Sequence, residues 1–352
     1  MALRRASVLR SMAVCLLATA ASTTLPSASA PKRLEGIPRP DHIVVLVLEN
    51  QNFDDSWGTG SVAKYMNSLR RQGVFADHYY ATGHASLSNY IAMISGQPAM
   101  PHSGADCLPF NLWTCVQLQS LWSGGRNLAD QLDEVRVSWK GYMDGMPAPC
   151  FHADYSPTAL PPDPYQGDSQ DPPAHDYADR HNPFLYFDNI IGNDARCEAH
   201  VRPFPEIWTD IRHNRLPGFA FITPDTCHDG HDAPCSNGAP GGLISADRWM
   251  AKMVPPILRY LRAHNGWLLI TFDENALTDG PPFGCCTGGL AGISGFGGRI
   301  GLVAVGAGLR PGKVVATPYD HMSLLRTIED AFGISEYLNN AASAHAMSDL
   351  FG

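Results

Sequence analysis

The chain has 352 residues, with 34 acidic side chains against 25 Lys and Arg and a formal net charge of −9. An acidic balance argues against nucleic acid and anionic membrane surfaces as partners, because basic patches supply that affinity. A local basic patch stays open. Seventeen per cent charged and 44% hydrophobic residues are enough for a large packed core and exclude a disordered chain.

The first thirty residues read as a leader. Arg4, Arg5 and Arg10 precede the apolar stretch Met12 to Ala21, and Ala28-Ser29-Ala30 offers a small-residue cleavage site. That is the pattern of a secretory signal peptide, and the apolar stretch is too short to span a bilayer comfortably. The expectation is a secreted or periplasmic chain without stable membrane insertion. The Arg4-Arg5 pair leaves Sec and twin-arginine export both open. Cleavage removes three arginines and no acid, so −9 becomes −12. No charge block, repeat or Ser/Gly linker interrupts residues 31–352, which are expected to form one α/β domain.

His42 to Leu48 is a continuous apolar run, the pattern of a strand buried on both faces of a parallel sheet. Ser61 to Gln72 has helical spacing, Val74 to Tyr80 reads as a second strand, and Ser86 to Ser95 reads as a helix stopped by Gly96. Residues 142–200, rich in Pro, Asp, Tyr and His over their first part, read as an irregular excursion forming a lid or pocket wall. Gly218 to Thr223 is a strand, followed by a polar loop, Pro224 to Asp232. A long helix, Ser245 to His264, carries Pro255-Pro256, where a kink is expected. The strand Trp267 to Phe272, a Gly-rich loop from Gly280 to Gly298, the strand Ile300 to Val305 and the helix His321 to Phe332 complete the chain. Strands alternating with helices predict a three-layer α/β sandwich, its sheet mostly parallel and covered on both faces.

Eight cysteines follow the leader, an even number suited to disulfides in an exported chain. Cys107 with Cys115 and Cys150 with Cys197 are the expected pairs, while adjacent Cys285 and Cys286 are expected to reach Cys227 or Cys235.

Two acidic clusters, Glu49-Asn50 and Asp273-Glu274, each directly follow an apolar strand. Ligands in open α/β sheets bind outside the carboxyl ends of strands. Carboxylates delivered there together repel one another unless a cation holds them; turn polarity is the plainer alternative for either cluster alone. Asp225, His228, Asp229, His231 and Asp232 crowd one loop, offering oxygen and nitrogen ligands, phosphate contacts or a proton for a leaving group. Ser86 begins a helix, where backbone N–H groups and the dipole favour a phosphoryl group or an alkoxide. An ordinary N-cap is the alternative there.

The segments Val47-Leu48-Glu49-Asn50-Gln51-Asn52-Phe53-Asp54, His84-Ala85-Ser86-Leu87-Ser88-Asn89-Tyr90, His181-Asn182-Pro183-Phe184, Asp229-Gly230-His231-Asp232, Thr271-Phe272-Asp273-Glu274 and His321 to Asp330 resemble, in order, motifs of the bacterial and fungal phosphoesterase family. That family comprises secreted acid phosphatases and phosphatidylcholine-type phospholipases C of the alkaline phosphatase superfamily. The resemblance implies an alkaline-phosphatase-like fold and a divalent metal ion held by Glu49, Asn50, Ser86, Asp273 and Glu274. It implies Ser86 as nucleophile, His231 and His181 lining the phosphate with one of them protonating the leaving alkoxide, Asp232 orienting a histidine, and Asn50, Asn89 and His228 also against the phosphate. Asp229 and His321 are further candidates for the site, and His321 is equally suited to a structural role. Glu274 stands where two-metal relatives carry a histidine, which implies one cation. Ser88 replaces a usual proline, and Asn275-Ala276-Leu277-Thr278 replaces the segment typical of the phospholipases. With the short chain, this favours a phosphomonoesterase acting on a small phosphate ester. A phospholipase C acting on a lipid headgroup, and a secreted phosphate- or metal-binding protein without turnover, are the alternatives.

Overall fold

The computed structural model describes residues 34–100, 103–107, 115–116, 125–152, 176–276 and 297–352. Its strands are β1 (His42–Leu48), β2 (Val74–Ala76), β3 (Tyr79–Tyr80), β4 (Trp139–Met143), β5 (Val201–Pro203), β6 (Phe219–Thr223), β7 (Gly266–Phe272), β8 (Leu302–Gly306), β9 (Lys313–Val315) and β10 (Tyr319–Asp320). Eight of them form one sheet in the order β5-β4-β6-β1-β7-β8-β2-β9, and β10 pairs with β3 apart from it. All neighbours in the large sheet are parallel except β8, which runs antiparallel to both β7 and β2.

β1 lies in the middle, paired with β6 on one side and β7 on the other. Ile43 to Leu48 are each at most 1% exposed, which is why the segment alternates no polar residue into its run. Helices flank the sheet. The helix Gly242–Ala263 buries Leu243, Ala246, Met250, Val254, Ile257, Leu258 and Leu261, an i, i+3, i+4 stripe. It runs through Pro255 and Pro256. The carbonyls these prolines cannot serve, four residues earlier, belong to Ala251 and Lys252, both on the exposed side of the helix.

The segment read as one strand from Val74 to Tyr80 is split: Asp77 and His78 separate β2 from β3, and the two pieces join different sheets. The stretch read as irregular from residue 142 opens inside β4 and ends against β5, both strands of the large sheet. Trp139-Lys140-Gly141-Tyr142-Met143 has none of the β-branched residues that mark strands, so pairing with β6 decides its conformation. Between them lie short helical turns over Asp179–His181, Pro183–Tyr186, Asp188–Ile191 and Asp194–His200. Cys107–Cys115 and Cys150–Cys197 pair as expected. Cys227 pairs with Cys235 instead of reaching Cys285 or Cys286, because the loop between them turns back on itself; Cys285, Cys286 and nearly all of the Gly-rich loop lie outside the described residues.

One buried carboxylate joins two of the flanking helices. Asp247 accepts the backbone N–H groups of Tyr65 and Met66, at 3.0 and 2.8 Å, in the first turn of the helix Lys64–Leu69. Replacing it with alanine strands both donors, and Asp247→Ala should cost about 2 kcal/mol of folding stability. A chemical-denaturation midpoint equal to that of the parent would contradict this.

Candidate active site

Strand register builds the site. Leu48 pairs with Phe272 at the carboxyl ends of β1 and β7. The next residues, Glu49 and Asp273, therefore leave adjacent strands side by side, about 4.8 Å apart in the sheet direction. Both are fully buried. Asn50 turns out of β1 with φ of 50° and donates its backbone N–H to Asp273 Oδ1 at 3.0 Å. A third carboxylate comes from beyond β6: Asp229 ends the short helix Thr226–Asp229, and its carbonyl accepts Glu49 N–H at 2.9 Å. Gly230 follows with φ of 109°, and a Cβ there would sit 3.1 Å from the Glu49 carbonyl oxygen. Glycine is needed at this close crossing.

Three buried carboxylates in contact range raise one another's affinity for protons. Burial, then Asp273 and Asp229, push Glu49 well above the usual carboxylate range. Burial raises Asp273 to about 6 against the pull of the Asn50 N–H. Glu274 is pushed to about 10 by burial, Asp273 and Asp106.

Ser86 opens the ten-residue helix Ser86–Ser95 and donates its hydroxyl to Glu49 Oε2 at 2.9 Å. The residue before it, Ala85, has φ of 77°, a conformation that costs an alanine energy and marks a constrained turn. Four residues on, Tyr90 lies on the same helix face. Its hydroxyl donates to Glu49 Oε1 at 2.6 Å, and its ring stacks on His181 at 5.4 Å between centroids, with planes 13° apart. Glu49 is thus fixed from both oxygens by one helix.

His181 is buried, with Nε2 3.5 Å from Glu49 Oε1 and Nδ1 3.3 Å from Asp229 Oδ2. Burial first, then Arg180 and His231, pull it well below the usual imidazole range. His231 is half-buried: its Nδ1 faces Asp232 Oδ1 at 2.8 Å and its backbone N–H donates to Asp229 Oδ1 at 2.8 Å. Burial works to raise Asp232, but its bonds with His231 and Thr226 outweigh it and hold the carboxyl below its ordinary value. An anionic Asp232 places a proton on His231 Nδ1, and the other ring nitrogen, Nε2, faces Arg180 Nη2 at 3.4 Å.

Glu49, His181 and Asp229 offer ligand atoms within 4.8 Å of one another. Asp273 Oδ2, Asp229 Oδ2 and both nitrogens of His181 are buried without a hydrogen-bond partner. Buried polar atoms left in this way fit a cation bound among them, and mixed oxygen and nitrogen donors suit a divalent one.

Several residues expected at the site are brought together: Glu49, Asn50, Ser86, His181, Asp229, His231, Asp232 and Asp273. Others serve elsewhere. Asn89 is expected against phosphate, but its Nδ2 donates to Gly83 O at 2.8 Å and Glu274 Oε2 at 3.0 Å. Its Oδ1 accepts from Thr82 N, Thr82 Oγ1 and Gly83 N. No donor remains for a substrate oxygen; Asn89 instead ties the turn before Ser86 to Glu274. Glu274 Oε1 lies 3.4 Å from His84 Nδ1, so this carboxylate faces the same turn. His228 sits between Asp144 Oδ2 at 3.2 Å and Asp225 Oδ1 at 2.8 Å. Burial works to lower it, but bonds to both carboxylates raise it to about 10 and make it an imidazolium in an ion-pair cluster. His321 is buried with Nε2 on the Asp273 carbonyl at 2.7 Å and Nδ1 on Tyr79 OH at 3.0 Å. Both nitrogens are engaged by these bonds, which set the ring against the backbone behind Asp273.

Tyr90 and Arg180 are the site's additions to the expected set. Tyr90 reads in sequence as one of the apolar residues of its helix. Its spacing of four from Ser86 was the available signal. Arg180 precedes His181 and had none.

The phosphoesterase family matches residues 59–335, and the chain belongs to it. It is 29% identical over 235 residues to a probable acid phosphatase of Kluyveromyces lactis, covering 66% of this chain and 47% of that one. The chain thus spans about half the length of that relative. It is 23% identical over 318 residues to a phosphatidylinositol-3-phosphatase of Mycobacterium tuberculosis, covering 90% of this chain and 84% of that one. A crystal structure of an alkaline phosphatase superfamily protein from Vibrio parahaemolyticus superposes with a TM-score of 0.51 at 12% identity, covering 85% of this chain and 67% of that one. The expected α/β fold with a mostly parallel central sheet is confirmed.

Two outcomes follow from the buried carboxylates. In protein stripped of divalent cations, Asp273 and Glu274 hold protons that the unfolded chain has released above about pH 4. The native state then binds more protons than the unfolded one, so stability falls as pH rises, through about 6 for Asp273 and on toward about 10 for Glu274. Calorimetry of chelated protein should record a falling Tm over that window; a rising one contradicts the assignment. Tyr90→Phe removes the donor to Glu49 Oε1 and should cost about 1–3 kcal/mol. An unchanged unfolding free energy would mean that this bond contributes nothing.

Proposed function

We propose that the chain is a secreted, divalent-metal-dependent phosphomonoesterase of the acid phosphatase type, working through a phosphoserine at Ser86. The observation that carries the reading is the 2.9 Å bond between Ser86 Oγ, at a helix N-terminus, and Glu49 Oε2, at the end of the central strand. It joins a hydroxyl nucleophile to a carboxylate of raised proton affinity.

Ser86 Oγ attacks phosphorus in line with the ester oxygen. Its proton passes to Glu49 Oε2, the acceptor it already faces, as the Oγ–P bond forms and the P–O ester bond breaks. His231, doubly protonated and held at Nδ1 by Asp232, donates its Nε2 proton to the departing alkoxide. Water then attacks the phosphoserine, giving one proton back to His231 while Ser86 regains its own from Glu49. The positive end of the Ser86 helix dipole faces the phosphoryl oxygens, its Leu87 and Ser88 N–H groups being spent on Asp106 Oδ1 and the Ala85 carbonyl, and Arg180 beside His231 adds positive charge. Glu49, Asp273, Asp229 and His181, with Asn50 and Ser86 beside them, would hold one divalent cation, while Glu274 braces the turn before Ser86. Bound there, the cation supplies charge neutralisation for phosphate oxygens and lowers the pKa of the serine hydroxyl.

Relatives named as phosphatases of monoesters, an acid phosphatase and a phosphatidylinositol-3-phosphatase, support a monoester over a diester substrate. Two disulfides placed from the sequence and a third between Cys227 and Cys235 support export to an oxidising compartment. No helix among the described residues is long and apolar enough to cross a membrane.

Ser86→Ala should lower kcat on p-nitrophenyl phosphate by roughly a thousandfold or more. Acid quenching of the parent during turnover should trap phosphate on Ser86. Full activity of the variant would remove the covalent step. Faster turnover of p-nitrophenylphosphorylcholine than of p-nitrophenyl phosphate would replace the monoesterase reading with a phospholipase C.

A further inference from the structure

The long helix Gly242–Ala263 presents a face that the phosphatase reading does not use. Its exposed residues are Ile244, Arg248, Ala251, Lys252, Arg259, Arg262 and Ala263. Four are cations, three are apolar and none is acidic. At 100° per residue, Arg248, Lys252, Arg259 and Arg262 fall within about 80° of one another around the helix. They extend along about 21 Å of its length. The helix's own acid, Asp247, is buried and spends both oxygens on Tyr65 and Met66. The neighbouring helix Lys64–Leu69 carries exposed Lys64 and, just past its end, Arg71, which line a separate groove with Trp57 and Val314. For a chain of net −12 without its leader, this is a sharp local inversion.

Between the two helices the face carries a shallow cleft of about 410 Å³ lined by Tyr65, Gln72, Pro255, Leu258, Arg259 and Arg262. Two guanidinium groups border it and no carboxylate does. Arg262 Nη2 donates to Gln72 Oε1 at 2.8 Å, which leaves its other donors unspent within the described contacts. The nearest exposed acids in a shared groove, Asp54 and Asp55, lie at the helix's first turn with Ile244 and Val62. They bound the basic face on that side.

We propose that this face docks the protein on an anionic phospholipid bilayer, with Arg248, Lys252, Arg259 and Arg262 against the headgroup phosphates. Charge complementarity selects an anionic partner. A row of cations along one helix face, with apolar residues between them, fits an extended surface better than a compact ligand. The helix begins where Gly242 N–H donates to the Asp232 carbonyl at 2.6 Å. Docking therefore holds the surface on a rigid element that runs directly into the His231–Asp232 pair. The binding is peripheral and does not rest on the phosphatase reading.

The test is co-sedimentation of the purified chain, leader removed, with vesicles of phosphatidylcholine alone and of phosphatidylcholine mixed with phosphatidylglycerol. Binding is expected to the anionic vesicles only and to weaken as salt is raised. Each basic residue near such a surface contributes roughly fivefold in partitioning. Arg259→Glu with Arg262→Glu should then cut binding by more than tenfold, leaving turnover of p-nitrophenyl phosphate and Tm unchanged. Arg248→Glu with Lys252→Glu is the independent second variant, should the first pair fold poorly. Equal partitioning to neutral and anionic vesicles, or unaltered binding by a folded reversal variant, overturns the proposal. So does retention on heparin with no vesicle binding, which would make the face a site for soluble polyanions.

Discussion

The in-register pairing of β1 with β7 is the constraint on which the site depends. It sets two carboxylates, Glu49 and Asp273, next to each other at the end of a sheet too apolar to solvate either. Water cannot reach them to screen the repulsion, so the surrounding chain has to. Asn50 N–H, Ser86 Oγ and Tyr90 OH all donate to this pair. Arg180 and the two histidines bring positive or polarisable groups to the same side. The neighbouring elements are arranged around that requirement: a helix starts where a hydroxyl is needed, and Gly230 lets the Asp229 loop close onto β1.

The parts of this arrangement legible in the sequence are those written as patterns along one segment. The apolar runs that end in Glu49 and Asp273 read as buried parallel strands because nothing polar interrupts them. Ser86 read as a helix start because Leu87, Tyr90, Ile91 and Ile94 repeat at helical spacing. What could not be read depends on partners distant in the chain. Tyr90 looks like any core residue until Glu49, 41 positions earlier, is brought to its hydroxyl. Asn89 and His321 carry the right chemistry for ligands, yet three-dimensional neighbours exhaust their hydrogen-bonding capacity. Motif resemblance locates such residues near a site but does not separate those that touch a ligand from those that hold its walls. The strands β4 and β5 were hidden for a related reason, since Lys140 and Gly141 interrupt one, the other is only three residues long and ends in Pro203, and pairing imposes the conformation.

The surface divides in a way that net charge conceals. Acids gather in the buried site and around His228, where Asp144 and Asp225 flank the ring. Arg248, Lys252, Arg259 and Arg262 line one face of the helix Gly242–Ala263, between Asp232 and Asp273 in the chain. A summed charge averages over this separation, which is why an acidic composition did not predict a basic face.

The position of β1 also bears on how the protein is made. It is the first strand in the chain and the centre of the sheet, but its partners β6 and β7 begin only at Phe219 and Gly266. During synthesis its apolar residues emerge long before either neighbour exists to cover them. Non-local parallel pairing of this kind is slow to form and leaves sticky edges exposed while it waits. The strand on which the site is founded is therefore made well before any strand that covers it, and aggregation during biogenesis is the hazard that this topology builds in.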